Sequence, residues 1–217
     1  AGVLAKGDVC AVIVEFIQGV GGLDISTAEF YEGVDKLCKE TGTCLIADEV
    51  QAGFGRTGNF FAFQEYNVKP ELISMAKGMG NGFPVGGILI HPSIKAEYGM
   101  LGTTFGGNHL ACTAALTVLE VLEEQDLMAH ALRVSDHFKA KTTEIPQIKA
   151  VKGRGLMLGI EFDFDTAALR KKLIYDQHIF TGSAKNKNLI RILPPLTVEN
   201  EHVDQFFDAL KIELDKL

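Results

Sequence analysis

A repeated α/β rhythm in the first 95 residues constrains the fold of this chain more than any other feature. A short run of β-branched and apolar residues leads into a turn rich in glycine or carboxylates, and then into an amphipathic helical pattern. The predicted strands are residues 9–15, 43–48, 72–76 and 86–91. Because continuous apolar runs are typical of strands covered on both faces, the sequence predicts a parallel sheet in an α/β domain.

The helical patterns divide the chain into two parts. A helix is predicted at residues 26–41, with Ser26 as its N-cap ahead of Glu29. A long apolar helix at residues 108–124 is followed by a more polar one at 125–141, and we place a domain boundary near residue 126.

Residues 127–217 are predicted to form a small α+β domain, and residues 1–126 part of a larger one. The predicted elements of the small domain are a hairpin of residues 148–151 and 156–162, a helix at 166–177, a strand at 189–193 and a closing helix from Asn200. Since the chain opens in the middle of the α/β rhythm, we expect an N-terminal portion of the large domain to be missing.

Composition excludes several classes of function. The apolar fraction of 47% is sufficient for a globular core, and the net charge of −7 without a basic run argues against a nucleic-acid partner. No apolar run approaches the roughly 20 residues that span a bilayer.

The four cysteines, Cys10, Cys38, Cys44 and Cys112, form no C-x-x-C pair. They are predicted to be reduced core thiols of a cytoplasmic protein, without a metal site.

Two ionisable residues stand where predicted strands end. Asp48 closes the run TCLIAD and Lys77 follows LISMA. Ligands of open α/β sheets bind beyond the carboxyl ends of the strands, and adjacent strands would bring both residues into one crevice. A desolvated lysine is a nucleophile toward an aldehyde, and a buried carboxylate suits a protonated pyridine nitrogen. Spacing alone leaves two alternatives open, a solvated lysine at a strand end and an aspartate that caps a helix or a turn.

Four ordered segments resemble the signature of the class III pyridoxal-phosphate aminotransferases of the acetylornithine/ornithine type. They are IADEVQAGFGRTG at residues 46–58, SMAKGMGNGFPVGG at 74–87, GTTFGGNHLAC at 102–112 and EFIQGVGG at 15–22. The resemblance continues through KGRGLMLGIEF and LIRILPPL, and so covers essentially the whole chain. It implies the fold type I architecture of these enzymes, with part of the large mainly parallel sheet domain and a small C-terminal α+β domain.

The resemblance implies a role for each residue that matches the family pattern. Lys77 would bind the cofactor covalently and act as the catalytic base. In the run from Asp48 to Gln51, Asp48 would pair with the pyridinium nitrogen, Val50 would pack on the ring and Gln51 would reach the phenolic oxygen; Glu49 is assigned to the same cofactor-binding set.

Two further sites are implied for the loop before the long helix and for the last strand. Thr104 would donate to the cofactor phosphate of the neighbouring subunit of a homodimer with shared active sites, and Thr103, beside it, is assigned to the substrate. Arg191 matches the arginine that binds a substrate carboxylate, a task that suits a bidentate guanidinium. Without the motif, Arg191 would be a surface arginine beside a proline-rich turn, and for Arg154 in KGRG we favour a structural role.

The sequence also departs from the family pattern. Val20 stands where the family usually has a glutamate that pairs with the substrate-binding arginine, and Phe16 and His109 replace prolines. The upstream phosphate loop, the aromatic residue that stacks on the pyridine and the N-terminal substrate contacts cannot be located. We therefore expect this chain alone to bind pyridoxal phosphate poorly.

The function implied is transfer of the terminal amino group of N-acetylornithine, or another N-acylornithine, to 2-oxoglutarate in arginine biosynthesis. Its small-molecule partners would be an amino donor and a 2-oxo acid. The alternatives are an ornithine or 4-aminobutyrate aminotransferase, or an inactive fragment that serves as an interaction module.

Overall fold

The structure, a computed structural model, describes residues 2–216 and contains two compact units. The first comprises the chain up to Phe16 together with Ser26–Phe54 and Asn59–Gln125. The second comprises Ile17–Ile25, Gly55–Gly58 and the chain from Asp126 onward. Each unit is built on its own four-stranded sheet. The predicted mixed α/β class, with one mainly parallel sheet, is therefore confirmed.

The sheet of the first unit has the order β1-β2-β3-β4. Its strands are β1 (Ala11–Val14), β2 (Cys44–Asp48), β3 (Leu72–Met75) and β4 (Gly87–Ile90). The first three are parallel, and helix α1 (Ala28–Thr41) connects β1 to β2.

The direction of β4 differs from the prediction, because β4 runs antiparallel to β3. The connection between them, residues 76–86, includes the short 3₁₀ helix Lys77–Gly80. A parallel crossover needs about a dozen residues or more, usually including a full helix. The connection is too short for that, and the chain turns back along β3 instead.

Two side chains cap the N-termini of helices in the first unit. Thr27, and not the predicted Ser26, is the N-cap of α1, since its Oγ1 accepts a hydrogen bond from Phe30 N at 3.3 Å. Ser26 instead donates its backbone N–H to the Tyr31 hydroxyl. Helix α2 (His109–Glu124) is capped by Asn108, whose Oδ1 accepts from Ala111 N at 3.0 Å. Such caps satisfy N–H groups that have no partner inside the helix.

The second unit packs three helices against an antiparallel sheet of order β5-β6-β8-β7. Its elements are α3 (Leu127–Thr142), β5 (Ala150–Arg154), β6 (Met157–Glu161), α4 (Ala167–Tyr175), β7 (Gly182–Ser183), β8 (Leu189–Ile192) and α5 (Asn200–Leu214). The core includes Phe138, Leu158, Ile160, Ile190 and Phe207. Strand β7 was not predicted, because a two-residue strand carries no periodicity.

The cysteines differ in part from the prediction. All four are free thiols, but Cys10 and Cys112 are exposed and only Cys38 is buried. Cys10 precedes β1, and Cys112 lies on an exposed side of α2, so an apolar sequence context did not ensure burial.

Within residues 2–216, no cluster of three or more His, Cys, Asp or Glu side chains is arranged to hold a metal ion. None of the helices described there has the length and apolar character of a membrane span.

Candidate active site

The carboxyl ends of β2 and β3 form one edge of the first sheet. Asp48 is the last residue of β2 and lies opposite Ser74 in the parallel register with β3. Lys77 follows the end of β3 and opens the 3₁₀ helix Lys77–Gly80. Because β2 and β3 are parallel neighbours, Asp48 and Lys77 belong to the edge at which ligands of such sheets bind.

The Asp48 carboxylate is oriented by two hydrogen bonds. Its Oδ1 accepts from Val50 N at 3.1 Å and from the Ser74 hydroxyl at 3.3 Å. Among residues 2–216, both of these bonds go to Oδ1, which leaves Oδ2 for a further donor. Ser74 was not singled out in the sequence, although its position across from Asp48 follows once the two strands are aligned in parallel.

Lys77 has an unusual backbone and an exposed side chain. Its φ of 47° lies in the left-handed region, which costs a non-glycine residue about 1–3 kcal/mol and is found most often at functional sites. The exposed side chain does not have the desolvation that the strand-end position led us to consider. The backbone of Lys77 is therefore held in a left-handed conformation, and its side chain is exposed to solvent.

Glu49, the neighbour of Asp48, is engaged elsewhere in the first unit. Its side chain is 1% exposed, and the two carboxylate oxygens accept from Ala62 N and Phe63 N, both at 2.9 Å. These bonds anchor the start of the 3₁₀ helix Ala62–Glu65. Burial raises the pKa of Glu49 to about 7, although the two N–H donors favour its charged form. Glu49 thus has a structural task in addition to its predicted place in the cofactor-binding set.

The other predicted cofactor residues lie in turns and loops. Val50 and Gln51 are half-buried in the turn that follows β2. Thr103 and Thr104 are exposed in the loop before α2. Thr103 Oγ1 accepts from Gly106 N at 3.1 Å, whereas Thr104 makes no side-chain hydrogen bond among the described residues. Both hydroxyls keep a proton to donate, because Thr103 Oγ1 is only the acceptor in its bond.

Arg191 belongs to the second unit. It lies in β8 opposite Gly159 of β6 and Gly182 of β7, so it lies between two residues that have no side chain. Its Nη1 donates to the carbonyl of Gly19 at 2.8 Å. Val20, at the position of the family glutamate, is 60% exposed, and its carbonyl accepts from Lys185 N. The segment Ile17–Ile25 therefore contacts Arg191 through its main chain, and it also contacts β5 through the Asp24 carboxylate, which accepts from Lys152 Nζ at 3.0 Å.

Phe16, which stands where the family has a proline, is packed among other aromatic rings. The ring lies 4.7 Å from the ring of Tyr31 and 5.7 Å from that of Tyr66, and is almost completely buried. The Tyr31 hydroxyl donates to the carbonyl of Phe16 at 3.0 Å. Aromatic packing and this hydrogen bond hold the chain where the family has a proline.

Comparison with protein families adds to this geometry. The family model described as aminotransferase class-III matches residues 3–214. The chain belongs to the class III aminotransferases. Members of this family use pyridoxal phosphate, as the resemblance implied.

Curated relatives of this class III aminotransferase chain include two acetylornithine aminotransferases. The protein of Aquifex aeolicus is 39% identical over 215 residues, which are 96% of this chain and 54% of that protein. The protein of Methanocaldococcus jannaschii is 40% identical over 206 residues, 92% of this chain and 51% of that protein. The chain thus spans about half the length of the curated relatives it matches.

Solved structures with the same fold include ornithine aminotransferases. That of Plasmodium yoelii superimposes with a TM-score of 0.88 at 30% identity, covering 99% of this chain and 59% of that one. That of Toxoplasma gondii has a TM-score of 0.86 at 28% identity, covers 98% of this chain and 52% of that one, and is described with partial occupancy of pyridoxal phosphate at its active site.

Proposed function

We propose that this chain carries the cofactor lysine of an acetylornithine aminotransferase. The observation that supports the substrate most strongly is the identity of 39% to the acetylornithine aminotransferase of Aquifex aeolicus over 96% of this chain. The proposed reaction moves the terminal amino group of N-acetylornithine, or another N-acylornithine, to 2-oxoglutarate. Because the chain spans about half of such relatives, this activity is proposed for the whole protein.

The residues at the edge of the first sheet suit pyridoxal phosphate. Asp48 offers a half-buried carboxylate whose Oδ2 is left for a donor, as a protonated pyridine nitrogen requires. Lys77 offers an exposed amine after the neighbouring strand. A carboxylate and an amine at this edge match the pyridine nitrogen and the aldehyde of the cofactor. The hydroxyl of Thr104, in the loop before α2, has no partner among the described residues and suits a phosphate oxygen of a cofactor in the neighbouring subunit.

Bound pyridoxal phosphate would supply an aldehyde that takes up amino groups and a ring that accepts electrons from a substrate carbon. In the proposed mechanism, Nζ of Lys77 would hold the cofactor at its aldehyde carbon, with loss of water. Once an incoming amino group had displaced it, the free amine of Lys77 would move a proton at the substrate carbon. The Asp48 carboxylate, oriented by the bonds from Ser74 and Val50, would keep a proton on the pyridine nitrogen. Val50 would pack on the ring face, and Gln51 would reach the phenolic oxygen.

Arg191 is proposed to bind a substrate carboxylate. Its planar guanidinium can donate two parallel hydrogen bonds to a carboxylate, which a lysine cannot do. The neighbouring Gly182 leaves room along the side chain, because a Cβ at this residue would lie 3.1 Å from Cβ and 3.4 Å from Nε of Arg191.

The role of Lys77 is tested by chemical trapping. Purified protein is incubated with pyridoxal phosphate and reduced with borohydride, which makes the bond between a lysine and the aldehyde permanent, and the labelled peptide is identified by mass spectrometry. We expect the label on Lys77, its loss in Lys77→Ala and its retention in Lys69→Ala, which replaces an exposed lysine of the same unit. A label on another lysine, or on none, would contradict the assignment.

Ornithine aminotransferase is the second candidate, supported by the TM-score of 0.88 with the Plasmodium yoelii enzyme. Rates with N-acetylornithine, ornithine and 4-aminobutyrate as donors to 2-oxoglutarate rank the three substrates. A clear preference for ornithine would replace our first choice. Trapping on Lys77 without turnover of any donor would instead favour a chain that kept the cofactor residues as part of an interaction module.

We further propose a homodimer in which Thr104 serves the partner's cofactor. Support comes from the exposed apolar side chains around it, since Leu101, Phe105 and Leu110 are 71%, 80% and 71% exposed. Residues 1–126 would be part of the large cofactor-binding domain and residues 127–217 the small domain. Light scattering coupled to size exclusion tests the dimer, and a monomer at micromolar concentration would contradict it.

A further inference from the structure

The GRTG turn of the family signature has no task in the mechanism proposed above. Its arginine, Arg56, belongs to the second unit, where its Nη1 donates to the carbonyl of Pro194 and, at 3.4 Å, to that of Leu156. In the opposite direction, Leu156 N donates to the carbonyl of Arg56 at 2.8 Å. Arg56 therefore binds both polar main-chain groups of Leu156 and the carbonyl of Pro194.

These contacts stand where the ladder between β6 and β8 stops. The antiparallel register pairs Gly159 with Arg191 and Leu158 with Ile192. Continued outward, the same register places Leu156 opposite Pro194. Proline has no N–H, so it cannot donate to the ladder at that position. Main-chain and side-chain groups of Arg56 supply the acceptor and the donors that the next pair of strand residues would otherwise provide.

The contact between the two segments is tight. Gly155 has a φ of 56°, and a Cβ at this residue would lie 2.5 Å from the carbonyl oxygen of Arg56. Arg154 donates its Nε to the carbonyl of Thr57 at 3.2 Å. Only glycine at position 155 permits this approach, which locks the turn Gly55–Gly58 against the start of β6.

The partners of the Arg56 guanidinium among the described residues are carbonyl oxygens and not carboxylates. Burial lowers the pKa of Arg56, but an arginine remains charged at neutral pH. A half-buried cation that binds neutral carbonyls orients the main chain, because it directs several carbonyl groups toward one point. Those groups lie just beyond the ends of β6, which is paired with the strand of Arg191, and of β8, which contains Arg191.

We infer that Arg56 is a positioning residue for Arg191. By completing the end of the β6–β8 ladder close to Arg191, it fixes the strand from which the substrate-binding guanidinium extends. This inference rests on the proposed role of Arg191. Loss of the Arg56 contacts would let the end of β8 move and would weaken binding of a dicarboxylate, whereas the cofactor edge at Asp48 and Lys77 would be unaffected.

The test uses glutarate, an unreactive dicarboxylate with the chain length of 2-oxoglutarate, and isothermal titration of the purified protein. We expect Arg191→Ala to abolish binding and Arg56→Ala to weaken it roughly tenfold, about what one lost charge-assisted hydrogen bond costs. Arg56→Lys should restore part of the affinity, since it keeps a positively charged donor group. Arg133→Ala, which removes an exposed arginine of the same unit, should bind like the wild type.

Hydrogen exchange separates positioning from folding. In Arg56→Ala, the Leu156 amide and the amides at the end of β8 should lose protection, while the core of α3 and α5 keeps it. If Arg56→Ala does not fold, Arg56→Lys provides the affinity and exchange data.

Two kinds of result would contradict the proposal. Wild-type affinity for glutarate in a folded Arg56 variant, with binding lost in Arg191→Ala, would overturn this inference alone. Unchanged binding in Arg191→Ala, or no binding by the wild type, would overturn the role of Arg191 and this inference with it.

Discussion

The two sheets differ in how completely their own unit buries them. In the second unit, α3, α4 and α5 cover one face, and Phe207 is 1% exposed among Phe138 and Phe206. In the first unit, Ile13 and Ile88 in the sheet remain 62% and 56% exposed, as do several leucines of α2. The second unit therefore completes a core by itself. The first presents apolar surface together with the strand-end residues to which we assign the chemistry.

Truncation of Phe207 should have the largest effect on stability. We expect Phe207→Ala to lower the free energy of unfolding of the second unit by about 3–5 kcal/mol, because it leaves a cavity in a closed core. Ile88→Ala is the matched change in the first unit and should cost less than about 0.5 kcal/mol, as for an exposed position. Denaturant unfolding followed by hydrogen exchange measures both. Similar losses for the two variants would mean that the sheets are equally buried in solution.

Glu49 is a buried carboxylate of the first unit and should give the stability of that unit a pH dependence. Its folded-state pKa of about 7 lies above the ordinary value of 4.5, so between these values the folded state binds more protons than the unfolded state. Stability from this group is therefore present below pH 4.5 and lost as the pH rises through 7, by up to about 3 kcal/mol.

The Glu49 prediction is checked by unfolding of wild type and Glu49→Gln at pH 5 and pH 8. The variant should be less stable at pH 5, because an amide offers one acceptor oxygen to two N–H groups, and its stability should change less between the two pH values. An equal pH dependence in both proteins would show that Glu49 titrates normally.

Asp48 should matter for catalysis and little for folding, unlike its neighbour. Asn at this position keeps an acceptor for Val50 N and Ser74 but loses the charge, and we expect Asp48→Asn to lower aminotransferase kcat about 100-fold, within the range typical for removal of one electrostatic contact. Asp8→Asn, at an exposed residue of the same unit, is the control. Activity assays and melting curves are compared; wild-type kcat in Asp48→Asn would contradict the assigned role.

The smallest expected effect concerns the start of α1. Thr27→Ala removes the side-chain acceptor for Phe30 N and should destabilise the first unit by about 1 kcal/mol. Ser26→Ala leaves its backbone bond to Tyr31 intact and should change stability by less than about 0.5 kcal/mol. If thermal unfolding showed Ser26→Ala to be the more destabilising of the two variants, Ser26 and not Thr27 would be the N-cap.

Strands and long helices could be predicted because hydrophobic periodicity is local. The apolar runs ending at Asp48 and before Lys77 marked β2 and β3, and the family motifs marked both residues as candidates. Contacts between distant segments could not be predicted in the same way. Nothing near Ser74 or Arg56 in the sequence indicates that one orients Asp48 and the other binds Leu156 and Pro194.

The sequence by itself determined the α/β class, the family and the identity of the candidate residues, because these depend on local patterns and ordered motifs. Only the tertiary structure decided the direction of β4, the choice between Ser26 and Thr27 as N-cap, and the different tasks of two adjacent carboxylates. Asp48 and Glu49 are both carboxylates and are adjacent in the chain. They differ because Glu49 meets the main chain of residues 62 and 63, while Asp48 meets Ser74 across the sheet and keeps one oxygen for another donor.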